Sequence, residues 1–262
     1  MKKRLFAGLI ASAMMASMLA GCGGGAQQGG SADGGSGHKV TLLMSQRDEW
    51  LSEMEAAAQA AAKDTGINLT TQDANSDTSK MIQYIESSVT AGEDAIIINM
   101  VDPETAAQCI EAAGDVPVVF VNRFPGDPSV LNEKAVYVGS DEMTSGAFQG
   151  EFLAKFFKDQ GKTDISYLML NGILGQTSTT NRTASVLKAL EDNGIKATAA
   201  AAPLAADYDR ATAMDMISPL LKTTKYDCII SNNDAMALGA VEAMQQQGLD
   251  PKSVPIVGID AT

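Results

Sequence analysis

The regular alternation of short apolar runs with helical stretches constrains the fold of this chain more than any other feature. Runs rich in β-branched residues occur at 40–44, 67–73, 95–100, 116–122 and 135–140. Stretches between them have the periodicity of amphipathic helices, at 48–63, 77–91 and 103–113. Strictly alternating units of this size predict a parallel sheet with helices on both faces.

The same alternation repeats after Ser140. Helices are predicted at 143–158, 179–193, 209–221 and 234–247, and strands at 164–170, 195–201, 226–231 and 254–260. One sheet of this type does not comfortably hold so many strands, and the stretch around Ser140 and Asp141 lacks a strong apolar period. We therefore predict two doubly wound α/β lobes, residues 39–140 and 141–262, with a hinge between them.

The start of the chain has the layout of an export signal, because basic residues 2–4 precede an apolar run from Leu5 to Ala20 and then small residues. That run is shorter than the roughly 20 residues that span a bilayer. Leu19-Ala20-Gly21-Cys22 resembles a bacterial lipobox, in which the signal is removed before a cysteine that carries lipid. We predict a signal at 1–21, lipidation of Cys22 and a flexible tether at 22–38; an ordinary thiol at Cys22 is the alternative.

Charge and cysteine content narrow the classes of partner. The formal net charge is −13, and the charged residues of the predicted signal are all basic, so its loss makes the chain more acidic. The chain is therefore not expected to bind nucleic acid or an anionic membrane surface. Besides Cys22 there are only Cys109, on a predicted helix, and Cys228, in a predicted strand of the other lobe. This is no disulfide framework, although a single disulfide stays open.

Polar side chains collect where the predicted strands end, which is where doubly wound sheets bind ligands. The candidates are Asp48, Trp50, Asn122, Arg123, residues 176–182, residues 232–234 and Asp260, with Tyr208 as a further aromatic residue. Hydroxyl groups both donate and accept, so a sugar site combines carboxylates, amides and guanidinium groups with flat rings against its C–H faces. The composition of this set fits such a ligand.

Several candidates have a structural alternative. Trp50 lies in the first turn of an amphipathic helix and could pack in the core. Asp48 and Asp234 each precede a clean helical pattern and could be N-caps.

Two more candidates are open in the same way. Arg182 has helical neighbours and could pair with Glu191 or Asp192 on a solvated face. Asn122 ends a buried strand, where its amide needs a partner, so ligand contact and loop bracing are both open.

Enzymatic functions find little support. The only histidine, His38, lies in the tether, so no Ser-His or Cys-His pair and no His/Cys zinc site is expected in the folded part. Loops of the Walker type are absent. Asp48 with Asp260 is the one carboxylate pair that could be tested for glycoside hydrolysis. We predict that the protein is not an enzyme and has no catalytic residues.

Five blocks, in order and spacing, resemble the galactose- and ribose-binding family of periplasmic sugar-binding proteins. They are NMVDPETAAQCIEAA (99–113), VPVVFVNR (116–123), YVGSDEMTSGAFQGEFLA (137–154), SNNDAMALGAVEAM (231–244) and VPIVGIDAT (254–262). The resemblance implies a type I periplasmic binding protein, monomeric, with two lobes joined by three hinge crossings. Such proteins close on a monosaccharide and deliver it to the permease of an ABC importer.

The resemblance also assigns roles to individual residues. It implies that Trp50 and Tyr208 stack on the sugar from opposite lobes, that Asp48 and Asp260 supply carboxylates, and that Arg182 supplies the ligand arginine. With the amides and the remaining strand-end residues, the predicted ligand-binding set is Asp48, Trp50, Asn122, Arg123, Gln176, Ser178, Arg182, Tyr208, Asn233 and Asp260.

The sequence departs from the family pattern in three places. Gln176 and Ser178 stand where galactose binders carry histidine and aspartate, and Thr180 stands where ribose binders carry a second arginine, so neither specificity transfers. Residues 158–166 lack the oxygen ligands of the galactose binders' calcium loop, so no metal and no cofactor are expected. Family members continue beyond the GIDA block, which implies that this chain is a C-terminally truncated fragment or lacks part of its hinge.

Together these features predict an exported protein, lipid-anchored at the cell membrane and facing the periplasm or the cell exterior, that captures a hexose or pentose for an ABC importer. A sensing lipoprotein that presents a sugar or another polar solute to a membrane receptor is the alternative. A cytoplasmic repressor of the same fold would need an N-terminal helix-turn-helix where this chain has a signal and tether.

Overall fold

The computed structural model describes residues 37–261. The predicted signal, Cys22 and nearly all of the predicted tether lie outside the described residues. No helix within 37–261 is both long and apolar enough to cross a membrane.

The first lobe is a five-stranded parallel sheet with the strand order β2-β1-β3-β4-β5. Its elements are β1 (Lys39–Met44), α1 (Glu49–Thr65), β2 (Asn68–Asp73), α2 (Thr78–Thr90), β3 (Ala95–Ile98), α3 (Ala106–Ala113), β4 (Val118–Val121) and β5 (Ala135–Val138). Successive side chains of β1 point to opposite faces. Leu43 packs beneath α2 and α3 with Ile98 and Phe120, whereas Leu42 and Met44 pack beneath α1, so helices cover both faces as predicted.

The second lobe repeats this architecture with the strand order β10-β9-β6-β7, and β8 also pairs with β6. Its elements are α4 (Glu142–Lys158), β6 (Asp164–Asn171), α5 (Thr177–Asp192), β7 (Lys196–Ala199), β8 (Leu204–Ala205), α6 (Arg210–Ile217), β9 (Cys228–Ser231), α7 (Asp234–Gln246) and β10 (Ile256–Val257). All of its strand pairs are parallel. The α/β class and the two doubly wound lobes are therefore confirmed.

Several elements differ from the sequence-based expectation. The predicted third helix opens with a 3-10 turn, Pro103–Thr105, and becomes α-helical only at Ala106. The helix α6 ends at Ile217 rather than 221, because Pro219 has no backbone N–H to continue the helical hydrogen bonds. The short strand β8 was missed because two residues carry no periodicity.

The helices α4 and α5 approach each other closely through glycine. A Cβ atom on Gly150 would lie 2.5 Å from the carbonyl oxygen of Val186, and one on Gly146 would lie 2.4 Å from the carbonyl oxygen of Arg182. Only glycine, which has no Cβ atom, permits the two helices to lie this close at these positions. The contact brings the start of α4 beside α5, directly after the segment at 139–141 that joins the two sheets.

The two cysteines outside the tether are free thiols in separate lobes, Cys109 in α3 and Cys228 in β9. The disulfide that the sequence left open is therefore not formed. Burial raises the pKa of Cys109 to about 11 and that of Cys228 to about 12. Both thiols stay protonated near neutral pH and serve as small apolar core residues.

Candidate functional site

All ten residues of the predicted ligand set line a single cavity between the two lobes. Its walls are Asp48, Trp50, Leu51, Asn122, Arg123, Gln176, Ser178, Arg182, Tyr208, Asn233 and Asp260, and its volume is ≈ 50 Å³. A larger cavity of ≈ 440 Å³ adjoins it and shares Asn122, Arg123, Gln176 and Ser178. The carboxyl ends of both sheets face this space, which is why residues distant in sequence meet here.

Asp48 and Trp50 reach the cavity from the first turn of α1. Asp48 is the N-cap, since its Oδ1 accepts from the backbone N–H of Leu51 at 2.7 Å, while its Oδ2 accepts from Nε2 of Gln46 at 3.1 Å. Trp50 is half-buried, packs against the Leu42 cluster and also lines the cavity. Capping, core packing and exposure to the cavity therefore coexist in these two residues.

Asn122 and Arg123 follow β4, and internal hydrogen bonds fix both. Asn122 has a φ of 63°, and its Oδ1 accepts from Nδ2 of Asn99 at 3.0 Å, which leaves its own amide N–H groups for the cavity. Arg123 donates from Nη1 to the carbonyl oxygens of Met100 and Val101, both at 2.8 Å. Burial lowers the pKa of Arg123, although nearby acidic groups oppose this effect.

Neighbouring residues of the second lobe hold Tyr208 at its hydroxyl group and on one face of its ring. Its Oη lies 2.7 Å from Oγ of Ser178 and 2.8 Å from Oγ1 of Thr179. Its ring lies against Gly172, where an added Cβ would be 2.0 Å from Cζ of Tyr208. The hydroxyl of Ser178, predicted as a ligand contact, is thus engaged in orienting the tyrosine ring.

Arg182 is buried and belongs to an ion-pair cluster. Its Nε donates to Glu142, its Nη1 donates to the carbonyl oxygen of Asn232 at 2.7 Å, and Nη1 lies 3.6 Å from Oδ1 of Asp260. Burial opposes the charge, but the hydrogen bond to Glu142 and both carboxylates outweigh it and raise the pKa of Arg182. The alternative of a pair on a solvated face with Glu191 or Asp192 is wrong, because Arg182 is only 6% exposed.

Asn233 and not Asp234 caps α7, so the alternative of an N-cap at Asp234 is wrong. The backbone of Asn233 is extended, and its Oδ1 accepts from the N–H of Met236 at 3.0 Å. Its Nδ2 donates to the carbonyl oxygen of Tyr208 at 3.4 Å. An Asn-Asn-Asp run offers three capping side chains, and only the backbone geometry decides which one is used.

Asp260 is the most perturbed acid of the cavity. Its pKa rises from an ordinary 3.8 to about 7, first because the carboxyl is buried; Arg182 opposes the shift, and Asp234, Glu142 and Asp48 add to it. A carboxyl with this pKa exists in both forms near neutral pH, so it can donate or accept a hydrogen bond.

The sole histidine and the acidic side chains of the described residues are placed as follows. His38 contacts Asp94 at the start of β1, and within residues 37–261 no group of three or more His, Cys, Asp or Glu side chains could hold a metal ion. Gln176 precedes α5 and its side chain makes no capping hydrogen bond. The cavity therefore presents amides, carboxyls, guanidinium groups and two rings.

The orientation of Tyr208 can be tested at Gly172. In Gly172→Ala the added methyl group would overlap Cζ of Tyr208 and displace the ring. We therefore expect ligand affinity to fall at least tenfold, while the helical circular dichroism signal changes little. Isothermal titration calorimetry measures the affinity. Gly175→Ala is not a suitable control, because the φ of 88° at Gly175 would strain an alanine. Ala200→Ser, directly after β7 and outside the cavity lining, should bind normally. Equal affinities of wild type and Gly172→Ala would contradict the ring contact.

The perturbed acid predicts a pH dependence. Between about pH 4 and pH 7 the folded protein holds a proton on Asp260 that the unfolded chain releases, so the free energy of unfolding falls as pH rises through this window. Asp260→Asn cannot ionise, and its stability relative to wild type should therefore increase by on the order of 1 kcal/mol or more from about pH 4 to about pH 8. Urea unfolding at both pH values measures it, and a difference that stays constant between the two pH values would refute the assignment.

Comparison with known proteins places the chain in a family. The profile of the periplasmic binding protein domain matches residues 40–262. A D-galactose/methyl-galactoside binding periplasmic protein of Haemophilus influenzae is 34% identical over 230 residues, which cover 82% of this chain and 67% of the relative. A putative rhizopine-binding protein of Rhizobium meliloti is 32% identical over 200 residues. The match covers 75% of this chain and 63% of the length of that relative.

Solved structures agree with these matches. A solute binding protein of an ABC transporter from Bacillus halodurans with bound myo-inositol has 29% identity and a TM-score of 0.70, covering 87% of this chain and 77% of that one. A Mycobacterium smegmatis protein in complex with β-D-fucofuranose has 25% identity and a TM-score of 0.73, covering 86% and 74%. The relatives named here are binding proteins and not enzymes. The chain belongs to the family of periplasmic binding proteins.

Proposed function

We propose that this protein captures a neutral monosaccharide or a cyclic polyol of similar size. The observation that carries the proposal is the single cavity on which ten side chains from both lobes converge. The names of the relatives support it, since they include binders of galactose and ribose, and one solved relative contains myo-inositol.

The cavity supplies both kinds of contact that a sugar needs. Trp50 and Tyr208 come from opposite lobes and offer flat apolar faces for the C–H groups of a ring. Asp48, Asp260 and the unused N–H groups of Arg123 make charge-assisted hydrogen bonds to hydroxyl groups, which are roughly twice as strong as neutral ones. Binding uses these contacts alone and breaks no covalent bond.

The same arrangement supports a role in transport. A ligand held by groups from two lobes stabilises the closed form, and a permease can distinguish that form from the open one. We propose that the protein is exported, delivers its ligand to an ABC importer and acts as a monomer anchored through lipid on Cys22. Mass spectrometry of the N-terminal peptide tests the anchor, and an unmodified Cys22 in the membrane fraction would exclude it.

A sensing role is the second candidate, and one comparison favours it. The fructose binding periplasmic domain of a hybrid two-component system has 25% identity and a TM-score of 0.69. The closed form would then be read by a membrane receptor. Deletion of the gene separates the two roles: loss of sugar uptake favours transport, and altered signalling with normal uptake favours sensing.

The ligand proposal predicts saturable stabilisation by one sugar. We expect the melting temperature of the purified protein to rise with D-galactose, D-ribose, D-fructose or myo-inositol and not with the epimer of the active compound. A ligand at 100 times its Kd adds about 2.7 kcal/mol of stability when only the native state binds it. A cooperative melt that none of these compounds moves would contradict sugar binding.

Two matched N-cap residues provide a test of the proposed site. Asp48 caps α1 and lines the cavity, whereas Asp77 caps α2 through the N–H of Lys80 at 3.1 Å and does not line it. Asparagine caps helices about as well as aspartate, so both Asp→Asn changes leave the helices intact. Asp48→Asn should abolish the ligand-induced shift in melting temperature and Asp77→Asn should preserve it; equal shifts in both variants would remove Asp48 from the site.

A further inference from the structure

An ion pair joins the two lobes at the rim of the cleft. Glu49 is the first residue of α1 in the first lobe, and Arg210 is the first residue of α6 in the second. Oε2 of Glu49 and Nη2 of Arg210 are 2.7 Å apart. Neither residue lines the cavity that holds the ten ligand-set residues. The pair is therefore a contact between the lobes outside the ligand cavity.

The position of the pair couples it to the opening of the cleft. Glu49 follows Asp48 directly, and Arg210 lies two residues beyond Tyr208. Both pairs of neighbours also border a groove of ≈ 370 Å³ outside the ligand cavity. A hinge motion that separates Asp48 from Tyr208 would therefore also separate Glu49 from Arg210.

The second lobe holds the arginine in position for this contact. Nη1 of Arg210 lies 3.1 Å from Oε1 of Glu242 on the neighbouring helix α7. This bond within the lobe leaves Nη2 for Glu49. Because its side chain is already anchored, Arg210 loses less rotamer freedom when the pair forms across the cleft.

We propose that Glu49 and Arg210 form a closure latch, a pair that sets ligand affinity without touching the ligand. The latch rests on the proposed binding function and adds the residues that control it. It stabilises only the closed form, and the apparent Kd equals the intrinsic Kd divided by the fraction of protein that is closed and competent. A stronger latch therefore lowers the apparent Kd and slows release.

The exposure of the pair sets the size of the effect. The side chain of Glu49 is 50% exposed and that of Arg210 is 32% exposed. Ion pairs at such positions change an equilibrium by about two- to fivefold. Because salt screens exposed charges, the effect should shrink as ionic strength rises.

The experiment compares Glu49→Ala with Glu53→Ala, an exposed glutamate one turn further along the same helix. Trp50 is the only tryptophan and lines the cavity, so its fluorescence reports binding without a label. Stopped-flow mixing with D-galactose, D-ribose, D-fructose and myo-inositol gives both rate constants. We expect Glu49→Ala to release the active ligand about two- to fivefold faster with little change in association, and Glu53→Ala to match wild type.

A second background shows whether the effect comes from the pair. With Arg210→Met already present, Glu49→Ala should change the release rate no further, because the interaction is already lost. An unchanged release rate in Glu49→Ala, or an equal acceleration in the Arg210→Met background, would overturn the latch.

Scattering separates failure of the latch from failure of the proposed function. If none of the sugars alters the fluorescence, the binding proposal fails, and the latch is judged on the unliganded protein. Its radius of gyration should then increase with ionic strength in wild type and start at the larger value in Glu49→Ala. Identical radii for both proteins at every salt concentration would refute the latch on their own.

Discussion

The buried guanidinium group of Arg182 organises the site. Removing a charge from water is expensive, and a buried arginine is tolerated only with good partners. Glu142, the carbonyl oxygen of Asn232 and Asp260 supply them. These partners come from the start of α4, the end of β9 and the segment after β10. One side chain thus ties the element that follows the lobe junction to two strand ends.

The same cluster explains why the cavity is suited to hydroxyl groups. Nε and Nη1 of Arg182 and Nη1 of Arg123 donate hydrogen bonds within the protein. These bonds fix the orientation of each guanidinium group and leave its other N–H groups for the cavity. Asp260 lies in a low-dielectric place among other carboxyls, which raises its pKa to about 7. A hydroxyl group can accept from the guanidinium groups and donate to the carboxyls, and it brings no net charge into a site that is already crowded with charge.

The site is divided between two lobes, and this division links ligand contact to motion. Trp50 belongs to the first lobe and Tyr208 to the second. In the proposed mechanism, ligand contacts and the ion pair between Glu49 and Arg210 both stabilise the closed form, but only the ligand contacts depend on the identity of the ligand. The ring of Tyr208 is fixed by Gly172, Ser178 and Thr179, so closure brings a rigid face onto the ligand.

The sequence by itself determined the two α/β lobes and the region where the site lies, because both depend on local periodicity and on the rule that parallel strands end at one edge of a sheet. It could not determine how each polar atom is used. Glu142 gave no signal beyond an ordinary glutamate in a first helical turn, and it became the partner of Arg182 only when α4 packed on α5. The sequence identified Ser178 and Asn233 as polar residues at strand ends. In the structure the hydroxyl of Ser178 hydrogen-bonds to Tyr208, and Oδ1 of Asn233 accepts from the N–H of Met236. Tertiary packing determines which groups tens of residues apart form hydrogen bonds, and the local sequence pattern does not predict those partners.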